Sequence, residues 1–496
     1  MSDKLDTPPL KHERDVTAWT DEADVIVVGY GAAGASAAVD ARRAGADVLV
    51  LERASGGGGA SAIAGGHLYL GGGTPVQQAC GFDDSADEMY AYLMALTPEP
   101  EAPKIRAYCD DSVAHFHWLE SLGVPFERSY FPGKAAIQDT TECLIWTGNE
   151  KVWPFRERAK PAPRGHKVAQ EGIEAGSLLM KKLIGAAQAL GVRERCDHRV
   201  VALIIDERGT VVGVRYRQFG EFGEIRARRG VVLAAGGYIM NDAMFARELA
   251  WMPRDLIKHG TNNDDGSGIL LGMSAGGEAV HLDRAFLTSP FYPPADMLKG
   301  ILVNAAGRRF VAEDSYHGRT AGFLVEQPQG VAYLILDATI FAYPPYKFFE
   351  QALVDGFETI EEMEARLQLP AGSLVATVAD YNRHAKNGED PLFHKYKDWL
   401  KPLDQPPYAA FDLSVHRAKF AGFSLGGLRT SVDSQVLAAN GQAIRGLYAA
   451  GACAWNIAQD TRGYSSGTCL GESTYFGRRA GQHAAQATTT GAPRSR

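Results

Sequence analysis

The sequence predicts an α/β protein, a discontinuous Rossmann-type domain with an inserted α+β cap/catalytic domain. Three observations point there. Residues 25–28 are a continuous β-branched run, V-I-V-V, leading straight into G-x-G-x-x-G at Gly29, Gly31 and Gly34. An alanine-rich stretch and a second apolar run follow, and the second run ends at an acid, Glu52. Glycine turns come back near the far end of the chain, at 446–451 and 467–471. One folding unit therefore draws on both ends of the sequence.

The elements follow in order. An unbroken β-branched run reads as a strand buried on both faces. Residues 35–44 are rich in alanine, the best helix former, and 46–51 read as the second strand. Gly29 permits the tight turn, Gly31 lets a pyrophosphate approach the backbone, and Gly34 lets helix and strand pack closely. The helix N-terminus offers amide donors and a positive dipole end. Glu52, about 20 residues on, can accept from ribose hydroxyls. A lone glycine motif is weak; strand, glycines, helix, strand and acid in sequence are specific for a dinucleotide. FAD, NAD and NADP stay open on this motif alone.

The middle of the chain reads as the inserted cap. Helices are expected over 358–367 and 374–387, short strands over 301–304 and 332–336, and proline-rich connectors at 290–294 and 344–345. Residues 1–20 and 485–496 read as loose tails. At 496 residues the chain is long enough for several domains. Its net charge of -8 argues against nucleic acid, which would want a basic face. No apolar run is long enough to span a membrane, and the polar N-terminus has no secretory core. The six cysteines form no C-x-x-C pair, which suits reduced thiols of a cytoplasmic protein and no metal site.

The stretch after Glu52, residues 53–73, is crowded with glycine, alanine and serine. It resembles the fumarate reductase/succinate dehydrogenase flavoprotein superfamily, where this loop passes the pyrophosphate and the isoalloxazine edge. R-G-V-V-L-A-A-G-G-Y at 229–238, D-D-G at 264–266 and the two late glycine turns agree with that pattern. The resemblance implies FAD, with a discontinuous FAD-binding domain over 20–280 and 422–490 and the cap/catalytic domain over 281–421. It places the cofactor on Gly29, Gly31, Ala33 and Gly34, on Glu52 and Arg53, and on Gly59, Ala60, Ser61, Gly65 and Gly66. Val200, Ala235, Gly236 and Asp265 follow, with Gly451, Leu470 and Glu472 on the return. Some members bind FAD covalently through a histidine near position 60. Ala60, Ser61 and Ala62 stand there, and His67 reads as packing or polar rim, so the FAD is expected to be non-covalent. Where the family often carries an acid after the 446–451 turn, this chain has Ala452.

Fumarate reductases clamp a dicarboxylate with arginine and histidine. Here the cap segment is R-R-F-V-A-E-D-S-Y-H-G-R, 308–319: His317 takes the arginine's place, Tyr316 precedes it, and only Arg319 remains as a clamp. The family's histidine before its G-G pair is missing, since Gly422, Phe423, Ser424 and Leu425 precede Gly426 and Gly427. With G-Y-S-S-G-T-C-L-G at 463–471, P-A-P-R-G-H at 161–166 and S-L-G-G-L-R-T at 424–430, the chain resembles the 3-ketosteroid Δ4-(5α)-dehydrogenases. That resemblance implies a steroid substrate and C4–C5 dehydrogenation, with Tyr316, Tyr464 and Ser466 as catalytic residues. Most of the 19 tyrosines are ordinary amphipathic core residues; these two are singled out by the cap motif and the glycine run. A 3-ketosteroid Δ1-dehydrogenase or a flavin enone or fumarate-type reductase is the alternative. A flavin sensor is disfavoured because no separate output domain is present. No haem or iron–sulfur spacing occurs, so electrons must leave to a separate acceptor.

Overall fold

The computed structural model describes residues 5–135, 138–288, 295–343 and 352–488. The connectors expected at 290–294 and 344–345 lie outside the described residues. At the centre is a nine-stranded mixed sheet. Its parallel heart runs Arg193–Arg195, Val48–Leu51, Asp21–Val28, the second half of Glu221–Leu233, then Ala443–Ala449. The return strand Ala443–Ala449 thus lies two places from the first glycine turn.

Asp21–Val28 explains itself through its neighbours. Val25 and Val27 enter one apolar core and Ile26 and Val28 another, and all four are buried. Helix Ala32–Arg43 covers one face and is itself covered by the last helix, Thr468–Gln486. A Cβ on Gly477 would lie 2.3 Å from the Ala33 carbonyl oxygen, and one on Gly481 2.1 Å from that of Ala37. Two small residues four apart let the two helix backbones nearly touch.

The inserted segment carries an antiparallel sheet of Ile301–Asn304, Ala332–Asp337, Tyr408–Asp412 and Ala352–Phe357. Helices Ile360–Arg366 and Ser373–Ala385 follow. Arg309 is buried there between Glu313 and Asp390. One apolar core runs without a break from Leu49 in the central sheet through Leu287 to Leu334 in the cap. A smaller three-stranded sheet, Ile257–Lys258, Ala421–Ser424 and Ala285–Thr288, stands between cap and cofactor domain.

The tails are a correction. Residues 5–20 are docked: Lys11 and His12 pair with Ile204 and Ile205, and Thr20 N–H donates to the Glu224 carbonyl at 2.8 Å. The Trp19 ring fills the space opposite Gly213, beneath Arg226. At the other end, helix Thr468–Gln486 runs past 485, with Ala484 and Ala485 buried.

Candidate active site

The site grows from the first glycine turn. Gly29 sits at φ 100, and a Cβ there would lie 2.4 Å from the Ala234 carbonyl oxygen, so only glycine serves. Gly31 faces open space, with nothing nearer than Ser61 Oγ at 3.5 Å. Behind this turn lies a cavity of about 1000 Å³ between the cofactor domain and the small three-stranded sheet. Glu52 borders it and accepts from the backbone N–H groups of Tyr30 and Ala54, both at 2.8 Å. All the residues named for the cofactor border the cavity except Gly34 and Asp265. Gly34 is a packing position. Asp265 turns away to pair with Arg53 at 2.6 Å and Arg199 at 3.2 Å. Its neighbour Asp264 borders the cavity instead, and adjacent acids at 264 and 265 gave no means of choosing.

At the opposite end the two tyrosines and the serine meet. Tyr316 Oη and Ser466 Oγ are 2.6 Å apart. The Tyr464 ring lies 6.2 Å from that of Tyr316 and 4.5 Å from that of Phe286, with Phe423 at 5.8 Å. Burial raises both phenols above their ordinary range, against the Ser466 hydrogen bond in the case of Tyr316. Both are therefore protonated donors at neutral pH. Burial drives His317 down to about 3, which leaves its imidazole neutral. Helix Thr468–Gln486 starts here, after Gly467 at φ 97, so its positive end opens into the cavity beside Cys469 and Leu470.

A model of the FAD binding domain family matches residues 24–468. The crystal structure of 3-ketosteroid-Δ4-(5α)-dehydrogenase from Rhodococcus jostii RHA1, in complex with 4-androstene-3,17-dione, is 42% identical over 97% of this chain and 100% of its own, with a TM-score of 0.90. The 3-oxo-5-alpha-steroid 4-dehydrogenase of Comamonas testosteroni is 30% identical over 88% of this chain and 94% of its own length. The chain belongs to the 3-ketosteroid Δ4-(5α)-dehydrogenase branch of the FAD-binding-domain family. The 3-ketosteroid Δ1-dehydrogenase of Sterolibacterium denitrificans, 21% identical over 94% of this chain and 100% of its own with a TM-score of 0.70, shares the fold.

The residues present fit FAD, the cofactor of this family. The glycine cradle, the Ala32–Arg43 helix start and Glu52 form a nucleotide end, and a roofed apolar end adjoins it. Glu472 lies on the wall between them, buried. Its Oε2 accepts from the N–H groups of Ile457 at 2.8 Å and Ala458 at 3.1 Å. Burial nevertheless raises its carboxyl to about 8. The folded protein then keeps a proton that the unfolded chain loses near its ordinary value, so this site's contribution falls as pH rises from about 4.5 to about 8. Removing that penalty, the FAD-free Glu472→Gln variant should gain on the parent steadily across this window, by on the order of a few kcal/mol at its upper end. Thermal melts of both proteins from pH 5 to pH 8 check this; parallel curves would place the proton elsewhere.

Several contributors were missed. Thr147 and Asn149, in a stretch that no motif anchored, reach the site: Ser466 N–H donates to the Thr147 carbonyl, and Asn149 Oδ1 accepts from Tyr316 N–H, both at 2.9 Å. Phe286 and Cys469 flank Tyr464. Cys469 was legible, since it lies in the glycine run itself. Arg319 was read as a possible clamp, but its guanidinium sits over Phe155 and Phe323 at 5.0 and 5.1 Å and does not border the cavity.

Proposed function

We propose that this chain dehydrogenates a 3-oxo-5α-steroid with FAD, introducing the C4–C5 double bond. The observation that carries the reading is the 2.6 Å Tyr316–Ser466 hydrogen bond, set beside Tyr464 on an apolar wall. The Rhodococcus and Comamonas relatives, named for this reaction, support it.

The 3-ketone makes the C4 hydrogens acidic. A phenol O–H donating to the C3 oxygen stabilises the enolate as it forms. The C4 proton passes to an oxygen of the Tyr316, Tyr464 and Ser466 group, whose hydroxyls can hand it on. The positive end of helix Thr468–Gln486 favours negative charge at this end of the cavity. FAD, when bound, supplies the hydride acceptor for C5. Phe286, Phe423 and Leu425 exclude water and suit a hydrocarbon skeleton. A fumarate-type reading lacks, among the described residues, an arginine that borders the cavity beside the tyrosines.

Anaerobic mixing with 5α-androstane-3,17-dione should bleach the flavin and yield the 4-ene-3-ketone. A 1-ene product would move the chemistry to C1–C2, and no bleaching would overturn the reading. The FAD is held without a covalent bond, so acid precipitation should release all the yellow colour into the supernatant; colour retained in the pellet would show a linkage. Electrons leave to a separate acceptor. The six cysteines are unpaired, which fits the reducing cytoplasm. Among the described residues no helix is long and apolar enough to cross a membrane.

A further inference from the structure

One face of the small three-stranded sheet is a wall of the cavity. Phe286 and Phe423 form its inner rung, paired across the strands. Thr288, Ala421 and Ile257 form the next rung outward. Side chains alternate along a strand, so the wall continues at Lys419. Phe420, between Lys419 and Ala421, faces the other way into the core and is 2% exposed. Lys419 borders the cavity, is exposed, and has no ion-pair or hydrogen-bond partner among the described residues.

The position of this cation matters. Phe423 lies against Tyr464, which marks the end for the 3-ketone. Four residues of extended chain separate Phe423 from Lys419, on the order of 13 Å, comparable with the long axis of a four-ring steroid. Among the described residues no carboxylate lines that outer end. The acids that border the cavity are Glu52 on the nucleotide side, Glu472 on the wall between the two ends, and Asp264, which sits against Gly236 and accepts from Thr261.

Building on the steroid reading, we propose that Lys419 selects steroids whose substituent on the ring farthest from the 3-ketone carries a carboxylate. The ladder from Phe286 and Phe423 to Ile257 holds the rings, and the ammonium group meets the anion at the mouth. An exposed ion pair of this kind changes affinity by up to about fivefold.

The test compares 3-oxo-5α-androstane-17β-carboxylate with its methyl ester, two substrates that differ by one charge. The holoenzyme should oxidise the acid with a kcat/KM about two- to fivefold above that of the ester, and added salt should shrink the ratio. Lys419→Ala should bring the acid-to-ester ratio to about one, Lys419→Glu should invert it, and Lys419→Arg should restore it. If both substrates are oxidised with equal kcat/KM, or if the ratio survives in Lys419→Ala, the selectivity is not there. If neither reduces the flavin, the steroid reading itself fails and takes this one with it.

Discussion

Tyr464→Phe is expected to leave a folded, yellow protein whose flavin is reduced by 5α-androstane-3,17-dione about 10²–10⁴ times more slowly. The range follows from the two jobs available to the phenol. Loss of one donor to a developing oxyanion costs about 10²–10³, and loss of a positioned base about 10²–10⁴. The ring itself packs between Phe286 and Phe423, so phenylalanine keeps the wall and isolates the hydroxyl. The pH profile separates the jobs. Burial raises the Tyr464 phenol, so a phenolate base is scarce at neutral pH and its fraction grows about tenfold per unit toward alkaline pH. A parent rate that climbs above pH 8, and a flat Tyr464→Phe profile, would make the phenol the base. Equal slopes would make it the donor. Stopped-flow reduction checks both, and an unchanged rate in the variant would remove Tyr464 from the chemistry.

Gly34→Ala should yield a colourless protein. The new methyl carbon would lie 2.0 Å from the Gly29 carbonyl oxygen and 3.3 Å from Val27 Cγ1. The Gly29 backbone cannot retreat, because its N–H donates to Leu51 at 2.8 Å and its other side meets Ala234. Overpacking of this kind costs about 1–3 kcal/mol or more, and here the strain falls on the turn that faces the cofactor. Copurified flavin, read as the ratio of absorbance at 450 nm to that of the protein, should fall at least tenfold, with a lower melting temperature. Gly185 offers the control. It lies inside helix Gly176–Ala189 with nothing near its missing Cβ, so Gly185→Ala should stabilise by roughly 0.5–1 kcal/mol and stay yellow. A yellow Gly34→Ala protein melting like the parent would show that the close approach is dispensable.

Much of this was legible because it is local. The V-I-V-V run, the glycines and Glu52 fall within a short window, and the expected strand at 301–304 coincides with Ile301–Asn304. What escaped depends on partners far along the chain. Lys11–His12 is a two-residue strand whose meaning comes from Ile204 and Ile205, and no pattern in 5–20 announces that. Asn149 holds Tyr316 across a gap no motif bridges. Gly477 and Gly481 were readable as a close helix contact, and with them the length of the last helix.

That last helix has a consequence for biosynthesis. Residues 24–51 leave the ribosome long before strand Ala443–Ala449 and helix Thr468–Gln486. At about 5–20 residues per second, the interval is roughly 20 to 90 seconds. Until then Val231–Leu233 lacks its neighbour on one side, and helix Ala32–Arg43 exposes the alanines that Gly477 and Gly481 will cover. The nascent chain carries a bare strand edge and no completed cofactor cavity throughout. A chain stalled short of the final helix lacks the wall that Leu470 and Glu472 give the cavity, and is not a smaller flavoprotein.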